Sequence, residues 1–470
     1  MDKEFSFMMK IGTSGFRGVI AEDFTFANVE KIAQATCDII KRHRFKKEVF
    51  VGYDNRFLSE EFAIRFCQVL SGNEIKAVLS ESSVPCPLVS FAGKALDNDL
   101  SVLISASHNP YYYNGVKIFS SQGRDLGHCL EEEYNSLVLR EKRVKLISID
   151  QAKEVGLFCR KSLQESYVDN LIKNVKLTQG LKDIKTIFNC MQGSSVETVE
   201  RLCDKLKLDC DIVNTSRDVE FGKSAPNPKE EALKDFAKSV VQGGYAFGFA
   251  TDGDGDRIAV IDEKGNYYNG NLIAPMLYYF AVKAKDAVGG FVANYAFSSL
   301  GKLVCDTLHT DYFETRVGFK NIGEALIKNK AYMGAEENGL ELASNVYTKD
   351  GIVTYLLLLE MVSNLNMPLS EIVKDFKKHV GYNMTCYAKA VKVNNKKRVE
   401  TALAKFIPNL GIKVVSVGNL DGHKYYFEDG SWLLLRFSGT EPVMRIMGEF
   451  KNKKDMQMVT ARAEEFVTSL

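Results

Sequence analysis

The sequence lacks two features that would point to particular classes of protein. It has no excess of charge of either sign, because 61 lysines and arginines offset 60 aspartates and glutamates for a net charge of +1. Nucleic-acid-binding domains usually carry a strong basic excess, so we predict no nucleic-acid partner. The ten cysteines include no C-x-x-C pair, which argues against a zinc site and favours free thiols in a reducing compartment.

Long apolar segments are also absent. The start of the chain, MDKEFSFMMK, lacks the apolar core of a signal peptide. The longest apolar block, around residues 355–359, is far too short to span a bilayer. We therefore expect a cytoplasmic protein without a membrane partner. The sequence leaves open whether it is a monomer or a homodimer.

Helical and strand-like patterns alternate along the first 370 residues. The first series predicts a helix at 26–44, a strand at 47–54, a helix at 59–70, a strand at 75–79, a helix at 87–96 and a strand at 100–105. The same order returns at 184–250 and at 290–365. Strands separated by helices pair in parallel in layered α/β domains. The last hundred residues differ, because strand patterns dominate and helical patterns remain only at 396–407 and 454–470.

These patterns predict an α/β fold with three related α/β layered domains and a smaller C-terminal α+β domain around a central cleft. We expect the domains to span residues 1–150, 151–256, 257–370 and 371–470. No low-complexity linker separates them, so they are expected to pack against one another. A cleft shared by packed domains is the natural place for a ligand.

The string S-A-S-H-N-P at 105–110 follows a predicted strand. Ser107 is therefore expected in the loop beyond the carboxyl end of that strand, where open α/β sheets bind ligands. His108 lies directly beside it. The alternative is an ordinary polar turn.

The string D-G-D-G-D-R at 252–257 places three carboxylates at alternate positions between two predicted strands. Such carboxylates can bind one hard cation together. Three of them do not fill the six coordination positions of Mg²⁺, so a phosphate oxygen can occupy one of the remaining positions. Arg257 could hold a phosphoryl oxygen. A calcium loop of the EF-hand type is disfavoured, since Arg257 occupies the sixth position, where that loop requires glycine. A solvated acidic turn remains the other alternative.

Two further strings suit a phosphosugar. The first is R-F-S-G-T-E-P-V-M-R at 436–445, which contains two arginines, two hydroxyl side chains and a glycine that lets the backbone turn sharply. Together these groups can donate hydrogen bonds to a phosphate dianion. G-A-E-E-N-G at 334–339 offers carboxylate and amide groups that suit sugar hydroxyls. Taken singly, each is better explained as a solvated turn. Two shorter pieces, G-T-S-G-F-R-G at 12–18 and N-G-V-K at 114–117, complete the set.

Together these strings resemble the motifs of the α-D-phosphohexomutase superfamily, in the order found in that family and over nearly the whole chain. The resemblance implies four domains around a deep active-site cleft. It implies an isomerase of the phosphoglucomutase/phosphomannomutase type, which interconverts hexose 1-phosphate and hexose 6-phosphate, with glucose and/or mannose as the hexose. It further implies a phosphoserine, Mg²⁺ and a hexose 1,6-bisphosphate that serves as intermediate and activator.

The resemblance also implies roles for individual residues. The catalytic residues would be Ser107 as the phosphoserine, His108, Lys117, Arg257 and Arg17. The metal ligands would be Asp252, Asp254, Asp256 and the phosphate on Ser107. The sugar-recognition residues would be Val317, Gly318, Lys320, Glu336, Asn338 and Lys349. The distal phosphate clamp would be Arg436, Ser438, Gly439, Thr440 and Arg445.

Three positions depart from the family pattern. Ser105 stands where threonine is usual, Asn338 replaces the commoner serine, and Leu340 stands where some relatives carry histidine. Two of these lie in the sugar loop, so the identity of the sugar stays open and phosphoglucosamine mutase is the nearest alternative. A non-catalytic phosphosugar- or calcium-binding protein and a sugar-phosphate phosphatase are the alternatives from other classes.

Overall fold

The structure, a computed structural model, describes residues 15–140, 143–176, 179–405, 407–438 and 443–469. Its strands form four sheets that follow one another along the chain. The first three sheets contain parallel strands joined by helices, and the fourth is entirely antiparallel. The predicted fold class, three related α/β domains followed by a smaller C-terminal domain, is confirmed.

The first domain has a seven-stranded mixed sheet in the order β1-β5-β4-β2-β3-β7, with β6 paired to β5. Its strands are β1 (Phe16–Val19), β2 (Glu48–Tyr53), β3 (Lys76–Ser80), β4 (Ser101–Ile104), β5 (Tyr113–Ser120), β6 (Arg124–Asp125) and β7 (Phe158–Lys161). Its helices are α1 (Phe26–His43), α2 (Ser59–Gly72), α3 (Cys86–Ala95), α4 (His128–Arg140) and α5 (Ile149–Glu154). The side chain of Thr25 caps α1 by accepting from the N–H of Asn28, which is why the helix begins where the sequence pattern predicts.

The second domain has a five-stranded sheet in the order β12-β11-β10-β8-β9. Its elements are α6 (Gln164–Ile172), β8 (Thr186–Asn189), α7 (Val196–Leu206), β9 (Cys210–Val213), α8 (Lys234–Gln242), β10 (Phe247–Thr251), β11 (Ile258–Asp262) and β12 (Tyr267–Tyr268).

The third domain has a four-stranded sheet in the order β14-β13-β15-β16. Its elements are α9 (Gly270–Lys285), β13 (Phe291–Asn294), α10 (Ser299–Leu308), β14 (Tyr312–Thr315), α11 (Phe319–Lys328), β15 (Met333–Glu336), β16 (Gly339–Leu342), α12 (Gly351–Leu365) and α13 (Leu369–Val380).

The first three domains repeat one topological unit. In each, a central strand pairs in parallel with the next two strands, and the third of these pairs with the following strand as an antiparallel hairpin. The hairpins are β4–β5, β10–β11 and β15–β16. The serine string, the triple-aspartate string and the acidic sugar string are the connections of these three hairpins. Equivalent positions in three repeats therefore carry the three strings on which the functional prediction depends.

The fourth domain is a five-stranded antiparallel sheet in the order β17-β21-β20-β19-β18. Its strands are β17 (Thr385–Lys392), β18 (Val414–Gly418), β19 (His423–Phe427), β20 (Trp432–Phe437) and β21 (Val443–Phe450), and its helices are α14 (Lys396–Lys405) and α15 (Lys453–Thr468). The two helices and the sheet enclose a separate hydrophobic core.

The second and third domains share a core with part of the first. Tyr355 of α12 packs against Phe188, Phe247 and Phe249 of the second sheet, so these domains do not pack as independent bodies. In the described ranges no single helix has the length and apolar composition needed to cross a membrane. Only α12 and α13 taken together meet that test, and they are bent by 85°.

The sheets divide the chain at points different from the expected domain limits. The first sheet continues past residue 150, because β7 pairs with β3. The limit at 256/257 would cut a hairpin, since β10 and β11 are paired along their whole length and β12 extends the same sheet. The expected limits followed the motifs, whereas strand pairing sets the real ones.

Candidate active site

Ser107 lies in the loop after β4, and only 2% of its surface is exposed. Its hydroxyl donates to Oδ2 of Asp252 at 2.7 Å, and Nδ1 of His108 is 3.3 Å away. Its backbone has a φ of +52°, a conformation that costs free energy for a non-glycine residue and is often found at functional sites. The loop is held by Ser105, whose hydroxyl accepts from the Ser107 N–H and donates to Asp254.

Arg56 holds the serine loop in place through hydrogen bonds to its backbone. This residue was not identified from the sequence. Its fully buried guanidinium donates to the carbonyls of Ser107 at 2.6 Å, Asn109 at 2.7 Å, Pro110 at 2.8 Å and Tyr113 at 3.1 Å. It also pairs with Asp54, at 3.2 Å. The available signal was the string D-N-R directly after β2, at the same sheet edge as the serine loop. A bulky residue held by five groups fixes the path of the loop.

The triple-aspartate loop joins β10 to β11 and touches the serine loop. An ideal Cβ on Gly253 would lie 2.7 Å from the carbonyl oxygen of Ser107, so only glycine permits this approach. Asp252 binds Ser107 through one oxygen and accepts the N–H groups of Asp256 and Arg257 through the other. The structure therefore brings the predicted phosphoserine and the predicted metal loop together.

The metal-ligand geometry differs in detail from the expectation. In the described part of the chain, the group whose ligand atoms all lie within 4.8 Å of one another is Cys86, Asp254 and Asp256. Asp252 is not in that group; its carboxylate accepts from the Ser107 hydroxyl and from two backbone N–H groups. Cys86, the first residue of α3, was not predicted to belong to the site.

Lys117 on β5 lies between these carboxylates. Its ammonium is 2.6 Å from Asp254, 3.0 Å from Asp256 and 3.5 Å from Sγ of Cys86. Burial opposes the change, but the charges of Asp254 and Asp256 raise the pKa of Lys117 well above its ordinary value. This lysine is therefore held as a cation beside the serine loop.

Four buried polar atoms at this site have no hydrogen-bond partner among the described residues. Two are donors, Nε of Arg17 and Nε of Arg257, and two are acceptors, Oδ1 of Asp254 and Oδ1 of Asp256. Leaving a buried charged group unsatisfied is costly. Orphaned guanidinium donors fit an anion and orphaned carboxylate oxygens fit a cation, so these residues suit a phosphate and a divalent metal ion.

Burial changes the ionisation of the other groups near Ser107. Burial, with the neighbouring charges of Asp254 and Asp256, raises the pKa of Asp252 to about 7. Burial, helped by the positive charges of Arg257 and Arg17, lowers the pKa of His108 far below its ordinary value, so its imidazole is neutral. Arg17 itself donates to Asn109 at 2.7 Å, which ties β1 to the serine loop.

The sugar loop joins β15 to β16 and abuts the metal loop. An ideal Cβ on Gly339 would lie 2.8 Å from the carbonyl oxygen of Asp256. The carbonyl of Asn338 accepts the N–H of Ile258 at 2.9 Å. Glu336, at the end of β15, accepts from Lys349 at 2.8 Å, and the Lys349 ammonium is 3.8 Å from Asp256. Glu336 and Lys349, both expected around the sugar, therefore form an ion pair.

The segment before α11 meets the fourth domain. Gly318 caps the helix with a φ of +127°, and the N–H of Val317 donates to Oδ2 of Asp421 at 2.8 Å. The same oxygen accepts from Nε of Arg436 at 3.0 Å. Asp421 was not predicted, because it lies in a turn between β18 and β19 far from every motif. It connects the segment before α11 to Arg436 of the predicted phosphate clamp.

The rest of the clamp is partly described. Arg436 and Arg445 are directly opposite each other on β20 and β21, so their side chains share one face. The N–H of Ser438 donates to the carbonyl of Val443. Gly439 and Thr440 lie outside the described residues.

Lys320, expected near the sugar, also connects two domains. On α11 it forms an ion pair with Glu131 of α4, across the cleft in the first domain. Glu131, Arg17, Ser107, Lys117, Arg257 and Lys349 line one cavity between the domains. Predicted residues from three domains therefore face a common space.

Three repeated α/β units with a buried serine, a triple-aspartate loop and basic residues facing one cleft define a phosphohexomutase, an isomerase. Comparisons with known proteins agree. Four family models match in order: phosphoglucomutase/phosphomannomutase alpha/beta/alpha domain I at 8–144, domain II at 165–265, domain III at 269–379 and the C-terminal domain at 389–465. The chain belongs to the phosphoglucomutase/phosphomannomutase family, within the α-D-phosphohexomutase superfamily.

Individual relatives carry different names. The chain is 28% identical to a probable phosphoglucosamine mutase of Methanobrevibacter smithii, over 95% of this chain and 96% of the relative. It is also 28% identical to a phosphoglucomutase/phosphomannomutase of Thermococcus kodakarensis, over 94% and 95%. The crystal structure of a putative phosphomannomutase from Thermus thermophilus superposes with a TM-score of 0.86 at 27% identity, covering 98% of this chain and 99% of that one.

Proposed function

We propose that the protein interconverts hexose 1-phosphate and hexose 6-phosphate, with glucose and/or mannose as the hexose, through a phosphoserine at Ser107. The observation that supports this most is the set of four buried atoms of this site, two guanidinium nitrogens and two carboxylate oxygens, that have no hydrogen-bond partner among the described residues. A phosphoserine adds about two negative charges. Arg17 and Arg257 could then donate to the phosphate, while the aspartates held a cation beside it.

Asp252, Asp254 and Asp256 would hold Mg²⁺ together with a phosphate oxygen on Ser107, because carboxylate and phosphate oxygens are the ligands that this ion prefers. The bound ion would withdraw charge from the phosphoryl group and so assist its transfer. The raised pKa of Asp252 fits this role, since a carboxylate crowded by other carboxylates gains from a nearby cation.

The transfer runs in two halves. In the first, a free sugar hydroxyl attacks the phosphorus of phosphoserine and gives up its proton, for which the neutral His108 is the acceptor. The bond from phosphorus to Oγ breaks, and Oγ takes a proton, for which Lys117 is the cationic donor. The product is hexose 1,6-bisphosphate. In the second, the Ser107 hydroxyl, which donates to Asp252 at 2.7 Å, attacks the other phosphate, and its proton passes by way of Asp252 to restore the Lys117 cation. The bond from that phosphorus to the sugar oxygen breaks, and the sugar oxygen takes its proton from His108, whose Nδ1 is 3.3 Å from Oγ.

The sugar must turn over between these halves, so the distal site has to accept either phosphate. We assign that site to Arg436, Ser438, Gly439, Thr440 and Arg445. We assign the sugar hydroxyls to Glu336, Asn338 and Lys349, with Val317, Gly318 and Lys320 beside them. Closure of the fourth domain would exclude water, which otherwise competes with the sugar for the phosphoryl group.

A phosphoglucosamine mutase is the second candidate. Relatives of similar identity carry both kinds of name, and Asn338 and Leu340 alter the loop that would read the sugar. The cysteines are free thiols, as in proteins of a reducing compartment, so we propose that the protein acts in the cytoplasm. We propose phosphosugars as its small-molecule partners.

A substrate panel tests the proposal. Purified protein with Mg²⁺ and the matching bisphosphate is given glucose 1-phosphate, mannose 1-phosphate or glucosamine 6-phosphate, and the products are followed by phosphorus NMR, with Ser107→Ala as control. We expect the wild-type protein to isomerise glucose 1-phosphate or mannose 1-phosphate, and we expect no isomerisation by the Ser107→Ala variant. Faster turnover of the glucosamine ester supports the second candidate. Release of free phosphate at comparable rates, or activity in Ser107→Ala, contradicts the mechanism.

A further inference from the structure

Another cavity, here called the junction cavity, lies between the third and fourth domains. Its volume is about 660 Å³, which is within the range of pockets that hold small organic ligands, and such pockets occur preferentially between domains. Part of its wall is the segment 381–384, which joins α13 to β17. No described residue lines both this cavity and the one that contains Ser107. The junction cavity is therefore separate from the proposed active site.

Aromatic side chains from both domains line the junction cavity. Tyr426 on β19 and Trp432 on β20 are cross-strand partners, so they share one face of the fourth sheet. Tyr312 on β14 contributes a ring from the third domain, and Tyr382 contributes one from the connecting segment. Aromatic groups stack on one another in offset or edge-on arrangements. A wall with rings from two domains therefore suits a ligand that contains a planar ring.

The wall of the junction cavity is held by hydrogen bonds between the two domains. Nε1 of Trp432 donates to Glu449 at 3.1 Å, and the same carboxylate accepts the N–H of Ser299 at the start of α10, at 2.9 Å. The ammonium of Lys424 lies 4.2 Å from the centre of the Trp432 ring and donates to the carbonyl of Tyr295 at 2.9 Å. The indole is thus fixed in place, as a preformed site requires.

The charged residues of the wall indicate the sign of the ligand. Each carboxylate already has a donor or a cation beside it: Asp306 has Lys302, Glu314 has Lys424, and Asp429 has the N–H and hydroxyl of Ser431. Lys451 is exposed and has no ion-pair partner in the part of the chain that the structure describes. The charge available to a ligand is therefore positive, which favours an anion. Lysine is a common phosphate-binding residue.

We propose that the junction cavity binds a nucleotide, with its base among Tyr312, Tyr426 and Trp432 and its phosphate at Lys451. Stacking on aromatic side chains tolerates any base, because every base has a π face. A hexose phosphate lacks the planar ring, and a nucleoside lacks the phosphate, so each has only half of what the wall recognises. The nucleotide contacts both domains and the segment that joins them. Its binding therefore favours the arrangement of the fourth domain in which these contacts are made.

Trp432 provides the readout, because it is the only tryptophan in the sequence. ADP and UDP are titrated into the full-length protein without Mg²⁺, and binding is followed by tryptophan fluorescence and by equilibrium dialysis. We expect both nucleotides to change the fluorescence in a saturable way. Uridine and glucose 1-phosphate are the matched ligands that each lack one half of the nucleotide, and we expect them to bind at least about tenfold more weakly.

Variants of two wall residues locate the ligand. Lys451→Met removes an exposed ammonium and should weaken nucleotide binding at least about fivefold. Lys454→Met, on α15 and outside the cavity, is the matched control and should leave binding unchanged. Tyr312→Leu should also weaken binding at least about fivefold, whereas Tyr312→Phe keeps the ring and should not.

Three results would overturn the proposal. They are an unchanged fluorescence with both nucleotides, equal nucleotide binding by Lys451→Met and Lys454→Met, and binding of glucose 1-phosphate as tight as that of the nucleotides. Each readout is independent of turnover. Failure of the mutase proposal would therefore leave these results unaffected, and a protein that binds no nucleotide would leave the mutase proposal standing.

Discussion

Replacing Arg56 with methionine tests how the reactive loop is held. The side chain donates four hydrogen bonds to carbonyls of residues 107–113 and pairs with Asp54, and both members of that pair are completely buried. Methionine keeps most of the volume but removes the charge and every donor. Asp54 would still accept hydrogen bonds from the Ser59 hydroxyl and from the backbone N–H of residue 56. Its negative charge, however, would be buried without a positive partner.

The expected loss of stability is large. Removing one partner of a buried ion pair costs about 3–5 kcal/mol, because the other charge stays buried. Each carbonyl left without a donor adds about 1–3 kcal/mol, although such contributions do not add fully. We therefore expect the first domain to lose at least about 4 kcal/mol, a large share of a usual folding free energy. Asp54→Asn added to the variant should recover part of it, since the unpaired charge is gone.

Native-state hydrogen exchange read by mass spectrometry is the suitable assay, because a chain of four domains is not expected to unfold in one step. The amides of β4 and β5 report on the sheet that carries the loop. Arg65→Met is the matched control, since Arg65 lies on α2 of the same domain and its pair with Glu30 is partly exposed, which is worth about 1 kcal/mol or less. Equal exchange in the two variants, or no recovery in the double variant, would refute the reasoning.

The remaining predictions concern charges around the cleft. Burial raises the pKa of Asp125 from 3.8 to about 6, so the free energy of unfolding falls as pH rises between these two values, and the full penalty is present above about 6. Asp125→Asn should raise the unfolding temperature more at pH 8 than at pH 5, and an equal shift would contradict this. Glu341 is fully buried, both its oxygens lack a partner among the described residues, and burial raises its pKa well above the ordinary value; Glu341→Gln should stabilise the protein at pH 8, as thermal unfolding would show. Asp421→Ala removes the carboxylate that accepts from both Arg436 and Val317, so Arg436 is no longer held in position for the sugar phosphate. KM for the sugar phosphate should therefore rise about fivefold, with a smaller change in kcat. An unchanged KM in steady-state kinetics would count against this bridge.

The motif loops could be predicted from the sequence because each follows a strand whose pattern is local. Ser107 and Asp252 were expected near one ion, and the structure brings them into hydrogen-bonding contact. Helix α1 was predicted within one residue of its observed end. In contrast, α9 was not predicted. Pro275, a residue that disfavours a helix interior, lies inside it, and most of its residues are buried, so it lacks the one-sided apolar pattern by which a surface helix is recognised.

The supporting contacts could not be predicted, because they join segments that share no local pattern. Arg56 reaches the serine loop, Asp421 joins two domains, and Cys86 of the first domain meets the aspartates only when the second domain packs against it. Lys320 is a related case, since its motif suggested a sugar contact and the fold supplied Glu131 as its ion-pair partner. Reactive residues can be recognised from sequence motifs, whereas the residues that position them are recognised only from the folded structure.

The most direct test of the central claim is the phosphorylation state of Ser107. The purified protein is incubated with Mg²⁺ and a hexose 1,6-bisphosphate, and intact-mass measurement is followed by peptide mapping. The account predicts one added phosphoryl group, located on Ser107, lost on addition of hexose monophosphate and absent from Ser107→Ala. A chain that is never phosphorylated, or whose phosphoryl group lies on another residue and persists in Ser107→Ala, would contradict it.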